Sequence, residues 1–328
     1  MVVYVWLIVG FVLLIKGADF FVDGSSSVAK LLRIPTIIIG LTVVAFGTSL
    51  PEASVSITAA LQGKNDLAVS NVIGSNIFNL LVVLGASALV QPVKTKWSVI
   101  KKEFPFSIVI TAVLLLLMWK PIQREAFSGL VSGKGSFILG RFSGLVLLTL
   151  FIYYLYSTIR QALEYRREGK LIEPEEDMKP LSPGKSAVFI IAGLIGIVIG
   201  GDLVVDSATE IAVRFGMSQT FIGLTIVALG TSLPELVTSM VAAGKGENDL
   251  ALGNVVGSNI FNILLILGAS SAIFPIAVAP TAIYDTIILI AASLVVYFCA
   301  VTKRVLKRGE GALFIVIYAA FFVYILLR

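Results

Sequence analysis

The 328 residues are 57% apolar and only 14% charged, with a mean hydropathy of +0.98, against about 25% charged residues in an ordinary soluble domain, so this chain belongs in a lipid bilayer. Twenty-five Lys and Arg against twenty Asp and Glu leave a net charge of +5, which in a membrane protein reflects cytoplasmic anchoring of loops rather than nucleic-acid binding. There is no His and a single Cys, Cys299, inside an apolar run. His-based catalysis, disulfides and His/Cys zinc or haem sites are therefore set aside, and any ion chemistry falls to oxygen ligands.

The first fifteen residues, Met1 to Ile15, carry no charge, and no basic leader precedes them; the stretch reads as a retained first span rather than a cleaved signal. Stretches able to cross about 30 Å of hydrocarbon fall near 3–28, 36–61, 67–92, 100–119 and 141–160, then 186–211, 219–243, 250–275, 280–302 and 311–327. With the amino terminus outside, seventeen Lys and Arg fall in inside loops and seven in outside ones, which predicts both termini outside. The polar stretch Tyr165 to Lys185 holds Pro174, Pro180 and Pro183 and the acidic run Glu173, Glu175, Glu176 and Asp177. It lacks the glycine and spaced ligands of a calcium-binding EF-hand loop and reads as a cytoplasmic linker, 165–185, between halves 1–164 and 186–328.

Those halves contain a repeat. Gly40 to Ser87 aligns without a gap with Gly223 to Ser270, an offset of 183 residues with 32 identities in 48 positions. Gly17, Asp19 and Asp23 align more thinly with Gly200, Asp202 and Asp206. The copies begin five spans apart, and because five is odd the second enters the membrane from the opposite side, as in many secondary transporters. The expected fold is thus an all-α polytopic membrane protein with ten transmembrane helices in two inverted-topology repeats of five.

Each copy carries G-T-S-L-P-E, at Gly47–Glu52 and Gly230–Glu235, then N-V-(I/V)-G-S-N-I-F-N, at Asn71–Asn79 and Asn254–Asn262. Duplicated helix packing would need only small residues, whereas each copy also places a carboxylate in mid-span, which is costly in lipid and marks function. Pro51 and Pro234 lack an amide hydrogen, so the carbonyls of Gly47 and Gly230 lose their helical partners and the helices kink. Freed carbonyls at membrane depth are tolerated where they line a cavity. Residues four apart share a helix face, which aligns Thr48 with Glu52 and Asn71 with Ser75 and Asn79, and likewise Thr231 with Glu235 and Asn254 with Ser258 and Asn262. Two carboxylates, hydroxyls, amide oxygens and loosened carbonyls make an all-oxygen shell suited to a hard cation. Two negative charges neutralise one divalent ion or two monovalent ones, and a third monovalent ion adds an excess charge that the membrane potential drives at about 2.3 kcal/mol per 100 mV.

At these residues the chain closely resembles the sodium/calcium exchanger branch of the calcium/cation antiporter superfamily, in its prokaryotic form without a regulatory domain, whose paired repeats carry G-T-S-x-P-E and G-S-N-x-x-N. The resemblance implies Glu52 and Glu235 as shared calcium ligands, completed by the carbonyls of Thr48 and Thr231. It implies Ser49, Ser75, Ser232 and Ser258, with the carbonyls of Ala45 and Ala228, as sodium ligands, and Asn79 and Asn262 lining the central site. Family members often have Asp at one of those last two positions, whereas here both are Asn, leaving two acids rather than three.

The function read from the sequence is exchange of Na+ for Ca2+ by alternating access, with the first and sixth spans sliding over a fixed core and Gly17, Gly24 and Gly200 making them adaptable. A proton-driven antiporter is the alternative, though that branch resembles G-N-x-x-E in its first motif; a passive cation channel and an intramembrane hydrolase are further ones. Asp19, Asp23, Asp202 and Asp206 either extend an ion path or are structural, Lys16 pairing with Asp19 at helical spacing. Expected partners are Ca2+, Na+ (H+ or K+ being the other candidates) and the bilayer, with no cofactor, nucleic acid or obligatory protein partner.

Overall fold

A computed structural model describes residues 2–62, 65–118, 137–167, 180–217 and 228–327. In lipid every backbone polar group must be satisfied internally, and the chain answers with helices. Helix α1 is Val2–Leu32, α2 Thr36–Ile39, α3 Ala45–Thr48 and α4 Leu50–Leu61, with a π-helical turn, Gly40–Val44, between α2 and α3. Helix α5 is Asn65–Phe78; it runs through a second π turn, Asn79–Val83, into α6, Leu84–Val90. Strand β1 (Val93–Lys94) and a π turn (Val99–Glu103) precede α7, Phe104–Met118. Strand β2 is Phe137–Leu139, α8 Arg141–Arg167, α9 Pro183–Arg214, α10 Ala228–Gly230 and α11 Leu233–Gly244. Helix α12, Asn248–Phe261, passes through the π turn Asn262–Leu267 into α13, Gly268–Ile273, and the chain ends with β3 (Ile276–Val278), α14 (Pro280–Lys303), β4 (Val305–Leu306) and α15 (Arg308–Leu327).

Among the described residues seven helices are long and apolar enough to cross a membrane, and Thr36–Thr48 with Leu50–Leu61 forms a further candidate bent by 50°. The stretch expected to span near 100–119 is a π turn running into the 15-residue α7. Of the one expected near 219–243, residues 219–227 lie outside the described residues, as do 168–179 of the expected linker and its acidic run. Two short antiparallel ribbons depart from the all-α expectation: β1 with β4, Val93 opposite Leu306, and β2 with β3, Phe137 opposite Val278. They join connections between helix ends, where extended backbone pairs with itself.

The continuous stretches Ala68–Val90 and Asn248–Ile273 form the centre, with 78% and 94% of their apolar windows buried, against 17–39% for the other long helices. Val69, Val72, Ile73, Ile77 and Leu81 from one meet Val255, Val256, Ile260, Ile263 and Leu264 from the other within one core. Helix α1 packs along α9 for most of its length, the outer faces of both exposing Val5, Ile8, Phe11, Ile191, Ile195 and Ile199.

That pair meets backbone to backbone. A Cβ on Gly17 would stand 2.7 Å from the amide nitrogen of Ile197 and 2.8 Å from the carbonyl oxygen of Gly193, and one on Gly193 would stand 2.5 Å from the nitrogen of Phe21. Gly17, Gly24 and Gly200, read from the sequence as making these spans adaptable, let the two axes approach while α1 and α9 are each continuous. Gly193→Ala is therefore expected to destabilise the fold by about 1–3 kcal/mol, the usual cost of overpacking, read as a lower thermal midpoint in detergent. Gly74→Ala, whose Cβ would meet nothing within 4 Å, should not lower it. Equal midpoints for the two variants would contradict this packing account.

Candidate cation site

The site begins with two helix breaks. Proline cannot donate in a helix interior but fits the first turn, so a new helix starts around each one. Ser49 (φ −82°, ψ 7°) interrupts α3 and α4 just before Pro51, and Ser232 (φ −95°, ψ 6°) interrupts α10 and α11 just before Pro234. Glu52 and Glu235 thereby lie in the first turns of α4 and α11, where the positive end of the helix dipole favours a carboxylate. Both side chains are completely buried.

The serines of the breaks cross over. Ser232 donates its hydroxyl to Oε1 of Glu52 at 2.9 Å and lies 3.1 Å from the hydroxyl of Ser75. Ser49 donates to Oε1 of Glu235 at 3.0 Å, with the hydroxyl of Ser258 3.4 Å from the same oxygen. Thr48 donates to Oδ1 of Asn254 at 2.9 Å. The carbonyl of Ala45 accepts the amide of Ser49 at 3.1 Å and lies 3.4 Å from the hydroxyl of Thr48. Thr231 stands at the second break, and Ala228 is the first residue of α10.

Asn79 and Asn262 lie one helical turn beyond Ser75 and Ser258. Asn79 donates to Oδ1 of Asn259 at 3.2 Å and Asn262 to Oδ1 of Asn76 at 3.0 Å, while Asn76 and Asn259 donate to each other's backbone carbonyls at 3.1 and 3.2 Å. Asn76 and Asn259 are residues that the sequence reading does not single out, because the i, i+4 face through Ser75 skips them. Their signal is present nonetheless: both are the Asn of G-S-N in the duplicated motif. The first residues of the expected seam serve a different purpose. Asn71 donates to Ser56 and Asn254 to Ser239, each at 2.9 Å, which ties α4 to α5 and α11 to α12.

Of the twelve buried side-chain oxygens without a hydrogen-bond partner among the described residues, four lie in this cluster: Oε2 of Glu52, Oε2 of Glu235, Oδ1 of Asn79 and Oδ1 of Asn262. They form two pairs, each separated by 183 residues in sequence. Two carry carboxylate charge, and leaving such a group buried without compensation is strongly unfavourable. A hard cation taking carboxylate, amide and hydroxyl oxygens is the chemistry this set suits. No group of three or more His, Cys, Asp and Glu side chains able to hold a metal occurs among the described residues, so the two glutamates depend on neutral oxygens to complete a shell. Outside this cluster, Asp19 pairs with Lys16 at 3.4 Å, as its helical spacing predicts, and Lys245 reaches Asp19 at 3.3 Å and Asp23 at 2.7 Å.

Comparison with known proteins bears on the same residues. The family model described as sodium/calcium exchanger protein matches residues 2–160 and 185–327. The chain is 40% identical to the protein CaxA of Alkalimonas amylolytica over 98% of each chain. It is 34% identical to the sodium/calcium exchanger MaX1 of Methanosarcina acetivorans, covering 97% of this chain and 96% of that one. A solved structure of the sodium-calcium exchanger NCX_Mj superposes with a TM-score of 0.79 at 32% identity, over 99% of both chains. Whole-length matches of this kind, with the duplicated glutamate motifs inside them, show that this polytopic membrane protein belongs to the sodium/calcium exchanger family.

Proposed function

We propose that the protein is a secondary active antiporter that exchanges Na+ for Ca2+ at one central all-oxygen site. The observation that carries the reading is the set of four buried, donorless oxygens on Glu52, Glu235, Asn79 and Asn262. In this reading Glu52 and Glu235 with the carbonyls of Thr48 and Thr231 hold Ca2+. Ser49, Ser75, Ser232 and Ser258 with the carbonyls of Ala45 and Ala228 hold Na+, and Asn79 and Asn262 line the site between them. The protein is a transporter without a cofactor, the ions being its substrates.

Ten spans arranged as two inverted repeats, 1–164 and 186–328 joined by the linker 165–185, with both termini outside, complete the proposal. The crossed bonds support it: Ser49 to Glu235 is matched by Ser232 to Glu52, and Asn79 to Asn259 by Asn262 to Asn76. Sodium is favoured over protons because the first motif reads G-T-S-L-P-E in both copies rather than the G-N-x-x-E that the proton-driven branch resembles. The names of MaX1 and NCX_Mj point the same way.

Alternating access is favoured over a passive pore by an asymmetry. Helix α1 packs against α11, and that contact is clasped by Lys245 with Asp19 and Asp23, by Lys30 with Glu247 at 3.8 Å, and by Ser26 with Glu247. Among the described residues α9 has no equivalent packing against α4, and Gln62 stands where Lys245 stands in the other copy. One side of the site is thus tied by ion pairs while the symmetry-related side is not. Movement of the α1–α9 pair over the core would exchange them.

Calcium-45 uptake into proteoliposomes loaded with sodium, with potassium, or with a pH gradient tests the reading; uptake should follow the outward sodium gradient, and uptake indifferent to it would overturn sodium coupling. Glu52→Gln and Glu235→Gln keep shape and lose charge, so each should abolish exchange while retaining a native elution profile; wild-type transport by either would remove that residue from the site. Asn76→Ala with Asn259→Ala should raise the half-saturating Ca2+ concentration roughly tenfold, the worth of about one hydrogen bond at each amide it releases. An unchanged value would assign these residues to packing alone.

A further inference from the structure

The β1–β4 ribbon gathers charge. Lys94 lies opposite Val305, the amide of Thr95 donates to the carbonyl of Arg304 at 2.8 Å, and the ends of α6, α7, α14 and α15 converge there. Lys94, Lys101, Lys303, Arg304 and Arg308 share this corner, all exposed. Trp97, 43% exposed, is held between two of them: the Lys101 ammonium lies 5.0 Å and the Arg304 guanidinium carbon 4.7 Å from its ring centroid. Arg304 adopts a left-handed backbone (φ 52°, ψ 20°) at the end of α14, a conformation that glycine takes without strain; an arginine is kept there at a backbone cost.

The nearby acids are committed elsewhere. Asp249 takes Lys96 at 2.5 Å, Glu103 takes Lys102 at 3.6 Å, and Glu310 accepts the backbone amide of Lys307 at 2.7 Å. Among the described residues none of the five cations lies within ion-pair distance of a carboxylate. Toward the membrane, the same helix ends expose Leu89, Val90, Phe298 and Leu313. A ligand complementary to this corner carries anionic oxygens at one end and hydrocarbon at the other, at the depth where tryptophan marks a membrane interface.

We propose that this corner binds the headgroup of an anionic phospholipid, its phosphate held by Arg304, Arg308 and Lys101 and its acyl chains lying on the exposed faces of α6, α14 and α15. Free phosphate would meet the same cations without engaging the apolar faces. Native mass spectrometry of the full chain, titrated with phosphatidylglycerol or phosphatidylcholine in detergent, tests this. The wild type should retain phosphatidylglycerol at least tenfold more tightly than phosphatidylcholine, and Lys101→Gln/Arg304→Gln/Arg308→Gln should lose that preference. Arg160→Gln/Arg166→Gln/Arg167→Gln, which removes equal charge from the exposed end of α8, should keep it. Arg304→Gly removes one phosphate contact while suiting the left-handed backbone, so weaker phosphatidylglycerol retention with an undiminished thermal midpoint separates binding from folding. Equal retention of the two lipids, an unaffected first triple variant, equal losses in both triple variants, or displacement of the lipid by millimolar inorganic phosphate would each overturn the proposal.

Discussion

Two carboxylates held entirely away from water set the terms for the rest of this molecule. Glu52 and Glu235 each receive a serine hydroxyl on one oxygen and no donor on the other. Their burial is sustainable only where positive charge comes to them. The surroundings follow from that demand: prolines restart the helices so that each carboxylate sits at a positive helix end, and every serine that touches one glutamate across the interface belongs to the opposite copy of the motif. The asparagine quartet then spends its amide hydrogens on itself, so that the Oδ1 atoms of Asn79 and Asn262 are left as acceptors.

The same constraint divides the structure into two kinds of helix. The central stretches, Ala68–Val90 and Asn248–Ile273, are packed on nearly all sides and carry the serine and asparagine side chains of the candidate site. The outer pair, α1 and α9, is bound tightly within itself through glycines and has one broad face left to lipid. Its link to the core is partly ionic, through Lys245 and Glu247, and ion pairs with water access exchange at smaller energetic cost than a dry interface. A buried centre whose link to the outer pair is partly ionic is the arrangement that the proposed exchange cycle would use.

Much of this was legible in the residues. Pro51 and Pro234 announce the breaks because a missing amide hydrogen has only local consequences, and the 183-residue repeat pairs Glu52 with Glu235 before any coordinate is known. What spacing could not reveal was which polar residues face across the interface. Asn71 and Asn254 share the helical face of the ligands yet tie neighbouring helices together. Asn76 and Asn259 lie off that face yet complete the network, because helix rotation at the interface is set by packing between distant segments. Gly17 and Gly200 look alike whether they loosen a helix or admit a neighbour; only the 2.5–2.8 Å approaches of partner backbone atoms decide. The ribbon that places Arg304 over Trp97 joins residues more than two hundred positions apart, beyond the reach of any local pattern.

The central claim is that sodium and calcium answer the same buried oxygens in turn. Calorimetric titration of Ca2+ into the purified protein at a series of fixed Na+ concentrations tests it without a membrane or a gradient. The apparent Ca2+ dissociation constant should climb steeply as Na+ rises, with more than one sodium displaced per calcium bound. A calcium affinity that stays constant across the sodium series would contradict it.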